Sequence, residues 1–457
     1  MLRKLLLTIG FNTLLISFVA NAQTELTLPF VESIHQSSYV NAAAIPDHKV
    51  SIGLPGLSSV SLDLTNTGFT YNDVVNDETK KYDPYKALNA MSKENYMNVG
   101  SKIDLFSLRL KVRSFYFTVN VTENNNFKFS YPKDLFTLML KGNHDQVNFD
   151  FTSLGINASH TREYGLGITK EGKNLIVGGR IKLIQGLANI YSRTDNLKFL
   201  TDTANGNNLS ATAKGEVFTS VPIDSTFDIM NYMNNWNNMG GGIDLAVSYK
   251  FTPKWQLTVA ANNIGFIDWK NNLTRYQMDG QAGFNGADIL GPYLNGGEFR
   301  FKEVVDSLSK AFNLKEVKAE SYRTWLIPQF YTLLNYHIFK NTSIGASMFL
   351  EAFVKVTPTG TLAVQQKVGK MLSMTVSYSA KFGQFNNLGL GVVFKPGPFD
   401  FYIVGDNILL PIINYASDKF YVNRKMVGDL RTVNFRFGMN LVFGRIKRAE
   451  TQSYWGI

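Results

Sequence analysis

Near the C-terminus of the chain, residues 431–443 alternate strictly between two kinds of side chain. Side chains of a β-strand point to opposite faces in turn, so this alternation produces one apolar face and one mostly polar face. The apolar face consists of Val433, Phe435, Phe437, Met439, Leu441 and Phe443. The stretch is longer than a typical strand of a water-soluble protein, and its length suits a tilted strand that crosses a bilayer.

The same alternation recurs along the chain, in pairs of stretches that are joined by very short turns. Residues 242–251 and 255–262 both alternate, and Thr252-Pro-Lys254 connects them as the turn of a hairpin. Other turns of this kind are predicted at Arg113-Ser114, Lys340-Asn-Thr342 and Pro396-Gly-Pro398. The pattern predicts an all-β fold with about 14 antiparallel strands, within a range of roughly 12 to 16.

Between the hairpins, the predicted connections are long. They are residues 65–100, 201–240, 266–322 and 405–430. An alternation of short and long connections is typical of outer-membrane barrels, whose short turns face the periplasm and whose long loops face outward. Two stretches predict short helical inserts: residues 132–142, which begin with Pro and end with Gly, and residues 302–312, which carry an apolar stripe.

The start of the chain predicts export from the cytoplasm. Arg3 and Lys4 precede an apolar stretch, and an A-x-A cleavage motif stands at 20–22. No run of about 18 apolar residues follows, so no transmembrane helix is predicted. With 0 Cys, the chain has neither a lipid attachment site nor a disulfide. We therefore expect residues 1–22 to be a cleaved signal peptide and residues 23–457 to be a single transmembrane β-barrel in the cell outer membrane.

The composition of the chain agrees with a barrel, and its charge favours some classes of binding partner over others. The mean hydropathy of −0.09 is low for a membrane protein, because half of each barrel strand faces a wet or packed interior. The formal net charge of +10 favours contact with outer-membrane lipid and the anionic headgroups of lipopolysaccharide. No basic cluster with interleaved aromatic residues indicates nucleic-acid binding. A large secreted β-sandwich shares these bulk values, so the strand pattern carries the prediction.

Several short motifs occur in order along nearly the whole mature chain, and together they resemble a family of uncharacterised outer-membrane barrels from Bacteroidota. These motifs include Asn41-Ala-Ala-Ala-Ile-Pro46, Ile52-Gly-Leu-Pro-Gly-Leu57, Tyr131-Pro-Lys-Asp-Leu-Phe136, Asn263-Ile-Gly-Phe-Ile-Asp-Trp269, Tyr322-Arg-Thr-Trp-Leu-Ile-Pro328 and Phe437-Gly-Met-Asn-Leu-Val-Phe-Gly444. That family is similar in turn to the long-chain fatty-acid transporter barrels and to the barrel subunits of type IX secretion.

The resemblance implies an N-terminal segment that folds inside the barrel as a hatch, here at residues 23–57. Related barrels carry Asn-Pro-Ala near this point, whereas here Asn41 is followed by Ala42 and the proline comes later, at Pro46. Because of this departure, the resemblance does not fix the exact geometry of the hatch. No functional residue can be transferred by resemblance, because the family has no known site.

The sequence shows no motif for catalysis, a cofactor or a metal ion. Its 5 His include no pair at helical i, i+4 spacing, and neither H-E-x-x-H nor G-x-S-x-G occurs. We therefore predict no catalytic, cofactor-binding or metal residues. A barrel hydrolase remains a remote alternative, which would require a Ser and a His in contact. Gly165-Leu-Gly167 and Gly389-Leu-Gly391 are interpreted as wall glycines that either relieve crowding or permit bending.

A few charged or titratable residues fall on the predicted inward faces of strands. These candidate lumen-facing residues are Asp244, Lys250, His337, Glu351 and Arg436. They either line a polar channel or pair with one another in a closed lumen. The function predicted from these features is a non-enzymatic conduit for a hydrophobic or small solute, with a hydrophobic molecule as its ligand. The alternative is a scaffold barrel that binds a protein partner in an envelope or secretion complex.

Overall fold

The computed structural model describes residues 25–75, 81–203, 207–222, 228–284, 312, 314–318, 320–352, 356–381, 384–408 and 431–446. The predicted signal peptide and nearly all of the predicted helix 302–312 lie outside the described residues. The helices are α1 (Tyr71–Val74), α2 (Pro84–Ala90), α3 (Lys133–Lys141) and α4 (Ile229–Met233), and two 3₁₀ helices span Leu28–Phe30 and His35–Tyr39. None of the described helices is long and apolar enough to cross a membrane.

Strands make up most of the described chain. They are β1 (His48–Gly53), β2 (Val60–Asn66), β3 (Glu94–Val112), β4 (Phe115–Pro132), β5 (Asn148–Asp150), β6 (Gly155–Glu171), β7 (Leu175–Asp202), β8 (Asn208–Ser220), β9 (Met239–Lys250), β10 (Trp255–Trp269), β11 (Leu273–Phe284), β12 (Lys315–Lys318), β13 (Tyr322–Trp325), β14 (Gln329–Phe339), β15 (Thr342–Ala352), β16 (Val356–Val368), β17 (Leu372–Lys381), β18 (Gln384–Phe394), β19 (Phe399–Asp406) and β20 (Thr432–Arg445).

These strands form a closed antiparallel barrel of 14 strands, which confirms the predicted fold. β1 and β2 together serve as one strand of the wall, because both pair with β3 on one side and with β20 on the other. β13 and β14 likewise both pair with β10. Pairing of the first strand with the last leaves the wall with no edge, which satisfies the backbone groups that would otherwise face lipid.

The outer face of the wall is apolar. On β9, Leu245 is 51% exposed and Val247 is also exposed, whereas Asp244 and Ser248 point inward and are 0% exposed. β20 shows the same division, with Phe437 and the other apolar residues of its predicted outer face more exposed than their polar neighbours. The division predicted between the two faces of each strand is therefore seen in the exposure of the side chains. The exposed apolar residues form a band around the wall of the kind that barrels present to lipid.

The two ends of the barrel differ in their connections. At one end, the predicted short turns join β3 to β4, β9 to β10, β14 to β15 and β18 to β19, as expected. We call this the short-turn end and the opposite one the loop end. Long connections are confined to the loop end, although β15–β16 and β17–β18 are joined there by short connections. The predicted helix at 132–142 is confirmed as α3, which ends at Gly142 with φ +67°.

Part of the sheet extends past the wall at the loop end. β7 pairs with β9 along its first half and with β8 along its second half, β8 pairs with β11, and β11 pairs with β12. We call the second half of β7 with β8, β11 and β12 the projecting sheet. It occupies parts of 201–240 and 266–322, which were predicted to be long connections. An apolar cluster brings Phe199 of this sheet together with Phe151 and Phe312.

Candidate functional site: the inner segment and the vestibule

Residues 25–47, which we call the inner segment, lie inside the barrel and continue directly into β1. The segment contains two 3₁₀ helices and pairs with no wall strand. Its apolar residues pack against inward-facing wall residues that include Tyr331, Phe349 and Tyr402. The buried apolar residues of the segment in this cluster are Leu26, Leu28, Val31, Ile34, Val40, Ala42, Ala43 and Ile45. Burial of each large apolar side chain stabilises this position by roughly 1.5–3 kcal/mol.

The inner segment is shorter than the hatch expected at 23–57. Residues 48–53 form β1, a wall strand bonded to both of its neighbours, so the boundary is corrected to Asp47. The chain then leaves the wall briefly between β1 and β2, where Gly56 adopts φ +70°. Proline and glycine in this stretch mark that break within one wall strand rather than a continuation of the inner segment.

At its upstream end the inner segment is anchored by charged side chains of the wall. Asp406 accepts hydrogen bonds from the backbone N–H groups of Leu26 at 2.8 Å and Thr27 at 3.0 Å. Arg436 forms an ion pair with Glu25, and both side chains are largely buried. The Thr27 hydroxyl also lies 2.7 Å from that of Ser377. A buried carboxylate or guanidinium without a partner is costly, so Glu25 and Arg436 each require the other.

Further along the segment, side chains of the wall donate hydrogen bonds to its backbone carbonyl groups. The contacts are Gln365 Nε2 to Phe30 O at 3.0 Å, Asn262 Nδ2 to Val40 O at 2.8 Å, Thr169 Oγ1 to Ala42 O at 2.7 Å and Arg109 Nη2 to Ala44 O at 2.6 Å. Buried carbonyl groups need a donor, and these inward-facing polar residues supply it in place of a strand ladder.

Two polar side chains in the middle of the segment contact opposite parts of the wall. Gln36 and Asn440 exchange two amide hydrogen bonds, both of 2.9 Å. Tyr39 donates a hydrogen bond of 2.6 Å to Asp104 Oδ2, and the guanidinium of Arg180 lies 5.0 Å from the centre of the Tyr39 ring. The segment therefore has partners around the circumference of the wall and lies across the lumen at this level.

Small wall residues also make room for the segment. A Cβ atom at Gly178 would lie 2.0 Å from the carbonyl oxygen of Ala42, and one at Gly389 would lie 2.1 Å from Thr27 Oγ1. The interpretation of Gly389 as a wall glycine that relieves crowding is confirmed, and the neighbour it accommodates is the inner segment. Sequence reasoning missed Asp104, Asp406 and Gly178, although each falls on an inward face where a polar or very small residue interrupts larger ones.

The candidate lumen-facing residues lie at different positions along the barrel axis. Asp244 is buried and forms ion pairs with Arg180 at 2.6 Å and Lys182 at 2.9 Å. Arg436 holds Glu25, as described above. Lys250 and His337 are partly exposed near the short-turn end, and Glu351 is partly exposed toward the loop end. The structure does not bring these five residues together into one site, and pairing accounts for the two that are buried.

Above the inner segment, on the side of the loop end, lies a cavity of about 1160 Å³, which we call the vestibule. Its lining combines polar residues such as Asp63, Asn126 and Glu163 with apolar residues such as Ile184, Ile267 and Phe349. Across it, Lys128 of β4 and Glu351 of β15 approach to 3.7 Å. These strands stand on nearly opposite sides of the wall, so the ion pair bridges the lumen.

A Ser–His contact is present, but it is closed to substrate. His35 Nδ1 lies 3.2 Å from Ser51 Oγ, and both residues are fully buried between the inner segment and the wall. Burial, with a smaller effect of the charge on Arg109, holds the pKa of His35 well below its usual value. Neither residue lines the vestibule, so no carbonyl group can reach the serine for acyl transfer.

Residues 43–406 match the model of a family described only as a family of unknown function, DUF5723. The chain belongs to this family. No curated protein matches it. Among solved structures, it is similar to the toluene transporter TodX of P. putida, with a TM-score of 0.42 and 9% identity over 90% of this chain and 94% of that one. A FadL homologue of Pseudomonas aeruginosa gives a TM-score of 0.41 and 12% identity over 93% and 100%.

Proposed function

We propose that the protein is an outer-membrane conduit for a small or hydrophobic solute, and that its inner segment closes the path at rest. The observation that carries this proposal is the position of the segment, which lies across the lumen beneath a large open vestibule. Among the described residues, its only covalent link to the wall is the junction of Asp47 with His48. The other contacts are separable hydrogen bonds, ion pairs and apolar packing, so the segment can move without breaking the barrel.

The lining of the vestibule supports the class of solute. Its volume of about 1160 Å³ is sufficient for a small organic molecule. Ile184, Ile267 and Phe349 offer an apolar surface, while Lys102 and the Lys128–Glu351 pair offer charged groups at other points of the lining. A solute with an apolar body and a polar end matches this arrangement. Chemical conversion of the solute has no support, because the Ser–His contact is buried.

The experiment that tests closure compares three forms of the mature protein in planar bilayers and liposomes. We expect the wild type to conduct little, and a variant lacking residues 25–46 to show steady conductance and to admit small solutes. A T27C/S377C variant serves as the converse, because those hydroxyl oxygens lie 2.7 Å apart and the natural chain has 0 Cys. Under oxidising conditions its disulfide should lower the entry of small solutes below that of the wild type. A reductant should return solute entry to the wild-type level.

Uptake of a fluorescent fatty acid into liposomes, compared with uptake of a sugar of similar mass, tests the solute class. A folded deletion variant that neither conducts nor admits any solute would contradict the conduit. Heat-modifiable migration on gels reports whether each variant has formed the barrel, so loss of folding is distinguished from loss of a path.

A scaffold role is the second candidate, and one observation favours it. α4 and the residues after it expose Ile229, Met230 and Trp236 at the loop end, where a partner in the envelope could bind them. Native-size purification in mild detergent separates the two proposals. Stoichiometric recovery of a protein partner, lost on I229S/M230S substitution, supports a scaffold, whereas recovery of the barrel alone or with bound lipid supports the conduit.

A further inference from the structure

Two carboxylates and an imidazole meet at the short-turn end, where the inner segment joins the wall. Asp47 is the last residue of the inner segment, His48 is the first residue of β1, and Asp400 lies near the start of β19. β20 stands between β1 and β19 and pairs with both. The side chains of His48 and Asp400 are each 1% exposed, and that of Asp47 is 31% exposed.

Each carboxylate uses one oxygen and leaves the other unsatisfied. Lys395 Nζ lies 2.5 Å from Asp47 Oδ2, and Arg445 Nη2 lies 2.7 Å from Asp400 Oδ1. Asp47 Oδ1, Asp400 Oδ2 and both ring nitrogens of His48 are buried and have no hydrogen-bond partner among the described residues. Buried polar atoms without partners are costly, and three of these four atoms face one another.

We propose that these three residues bind a divalent transition-metal ion of the Zn²⁺ class. His48 Nδ1 lies 3.5 Å from Asp47 Oδ1 and 3.8 Å from Asp400 Oδ2, and the three ligand atoms lie within 4.8 Å of one another. Ligand atoms on a tetrahedral Zn²⁺ at about 2.0–2.1 Å are roughly 3.4 Å apart, so contraction by a few tenths of an ångström brings the His48 nitrogen into range of both carboxylates.

The ligand chemistry selects the kind of ion. One imidazole nitrogen with two carboxylate oxygens suits Zn²⁺ or Mn²⁺, whereas Mg²⁺ and Ca²⁺ prefer an all-oxygen set. Lys395 and Arg445 occupy the outer oxygens, which orients both carboxylates toward the centre of the cluster as partners beyond the ligands do in known metal sites. The exposed edge of Asp47 provides a path of entry and leaves a coordination position for water.

The ion would fasten the exit of the inner segment to the wall. Asp47 belongs to the segment and Asp400 to β19, so a metal that binds both joins two parts of the structure that the backbone does not connect locally. This site is independent of the conduit, because metal binding can be measured whether or not any solute passes.

The test uses the complete mature protein, folded in detergent, stripped with EDTA and titrated calorimetrically with Zn²⁺ in one series and with Mg²⁺ in another. We expect one Zn²⁺ per chain and no binding of Mg²⁺ under the same conditions. His48→Gln should weaken Zn²⁺ binding by about 100-fold or more, since loss of even a residue outside the ligand shell typically costs about 10–100-fold. His144→Gln is the control, because His144 is exposed beside Asp145 and lies outside the cluster.

A spectroscopic measurement on the wild type avoids reliance on substituted chains. X-ray absorption of the Zn²⁺-loaded protein should show one imidazole nitrogen among oxygen ligands. Absence of binding, unchanged affinity in folded His48→Gln, or loss of binding in His144→Gln would each overturn the proposal. So would His48 ring resonances that do not shift in the NMR spectrum of the wild type when Zn²⁺ is added.

Discussion

The wall and the inner segment occupy the same barrel, but different interactions hold them. The wall strands share backbone ladders with neighbours on both sides, except that the short β13 pairs only with β10 among the described residues. The inner segment pairs with no strand and depends on side chains such as Asp406, Arg436 and Gln365. A wall strand cannot leave, because its backbone groups would face lipid without partners. The inner segment can exchange its bonds for bonds to water, so the two regions should respond differently to substitution.

The largest effect on the inner segment is expected from Arg436→Gln. It leaves the Glu25 carboxylate buried without its ion pair, which should weaken docking of the segment by roughly 3–5 kcal/mol while the barrel stays folded. Digestion with chymotrypsin, followed by mass spectrometry of the released N-terminal peptides, measures the exposure of the segment. The E25Q/R436Q double variant should recover part of the protection. Equal protection in Arg436→Gln and wild type would show that the pair does not anchor the segment.

Leu245→Arg tests the wall instead. It places a charge on the lipid face of β9 and should cost roughly 2–4 kcal/mol of folding free energy near the middle of the bilayer. Leu200→Arg is its matched control, because Leu200 is 52% exposed, almost the same as Leu245, but lies on the projecting sheet past the wall. The control should change stability by less than about 0.5 kcal/mol. Urea titrations of folding into lipid vesicles measure the folding free energy of both variants. Equal losses of folding free energy in Leu245→Arg and Leu200→Arg would mean that lipid does not surround β9.

Gly178→Ala should act on the inner segment without disturbing the lipid face. The added Cβ would lie 2.0 Å from the Ala42 carbonyl oxygen, and displacement of the backbone there should cost about 1–3 kcal/mol. At Gly360 on β16, the same substitution meets nothing within 4 Å. The chymotrypsin assay should show earlier release of the segment in Gly178→Ala and wild-type behaviour in Gly360→Ala. If the two variants behave alike, the contact at Ala42 is not a constraint.

The smallest effects are expected from removing one hydroxyl group from each of two similar hydroxyl pairs, one that involves the inner segment and one within the wall. Ser377 Oγ lies 2.7 Å from Thr27 Oγ1 of the inner segment, whereas Thr361 Oγ1 lies 2.9 Å from Ser379 Oγ within the wall. Ser377→Ala and Thr361→Ala should each cost about 1 kcal/mol. Only the first should speed proteolysis of the segment, and only the second should lower the urea midpoint of the barrel. The opposite result would assign the hydroxyl of Ser377 to wall stability.

Local alternation predicted much of the wall, because the period of a strand is set by immediate neighbours in the chain. It placed Asp244 and Arg436 on inward faces and located the short turns that define one end. Their partners could not be predicted in the same way. Glu25 and Arg436 are 411 positions apart, and their contact depends on closure of the whole barrel. Residues 208–217 do alternate, with Leu209, Ala211, Ala213 and Val217 on one face, but small residues make that face only weakly apolar. The stretch was therefore assigned to a long connection, whereas it forms most of β8 in the projecting sheet.

The candidate metal cluster escaped sequence analysis for a related reason. Asp47 and His48 are adjacent, but the third ligand, Asp400, comes from a distant strand that becomes a neighbour only when β20 pairs on both sides. Motifs for metal sites rely on fixed spacing within one helix or loop, and strand-borne ligands show no such spacing. The hatch boundary was misplaced because the proline and glycine after β1 were assigned to an irregular inner path, whereas they interrupt a wall strand.

The pairing of β1 and β2 with β20 has a consequence for biogenesis. The first wall strand must wait for the last strand to be synthesised and exported before the cylinder can shut, and until then both edges are open. The inner segment immediately precedes β1, so it arrives at the seam that closes last. A chain truncated before β20 would therefore have neither a closed wall nor an enclosed place for residues 25–47.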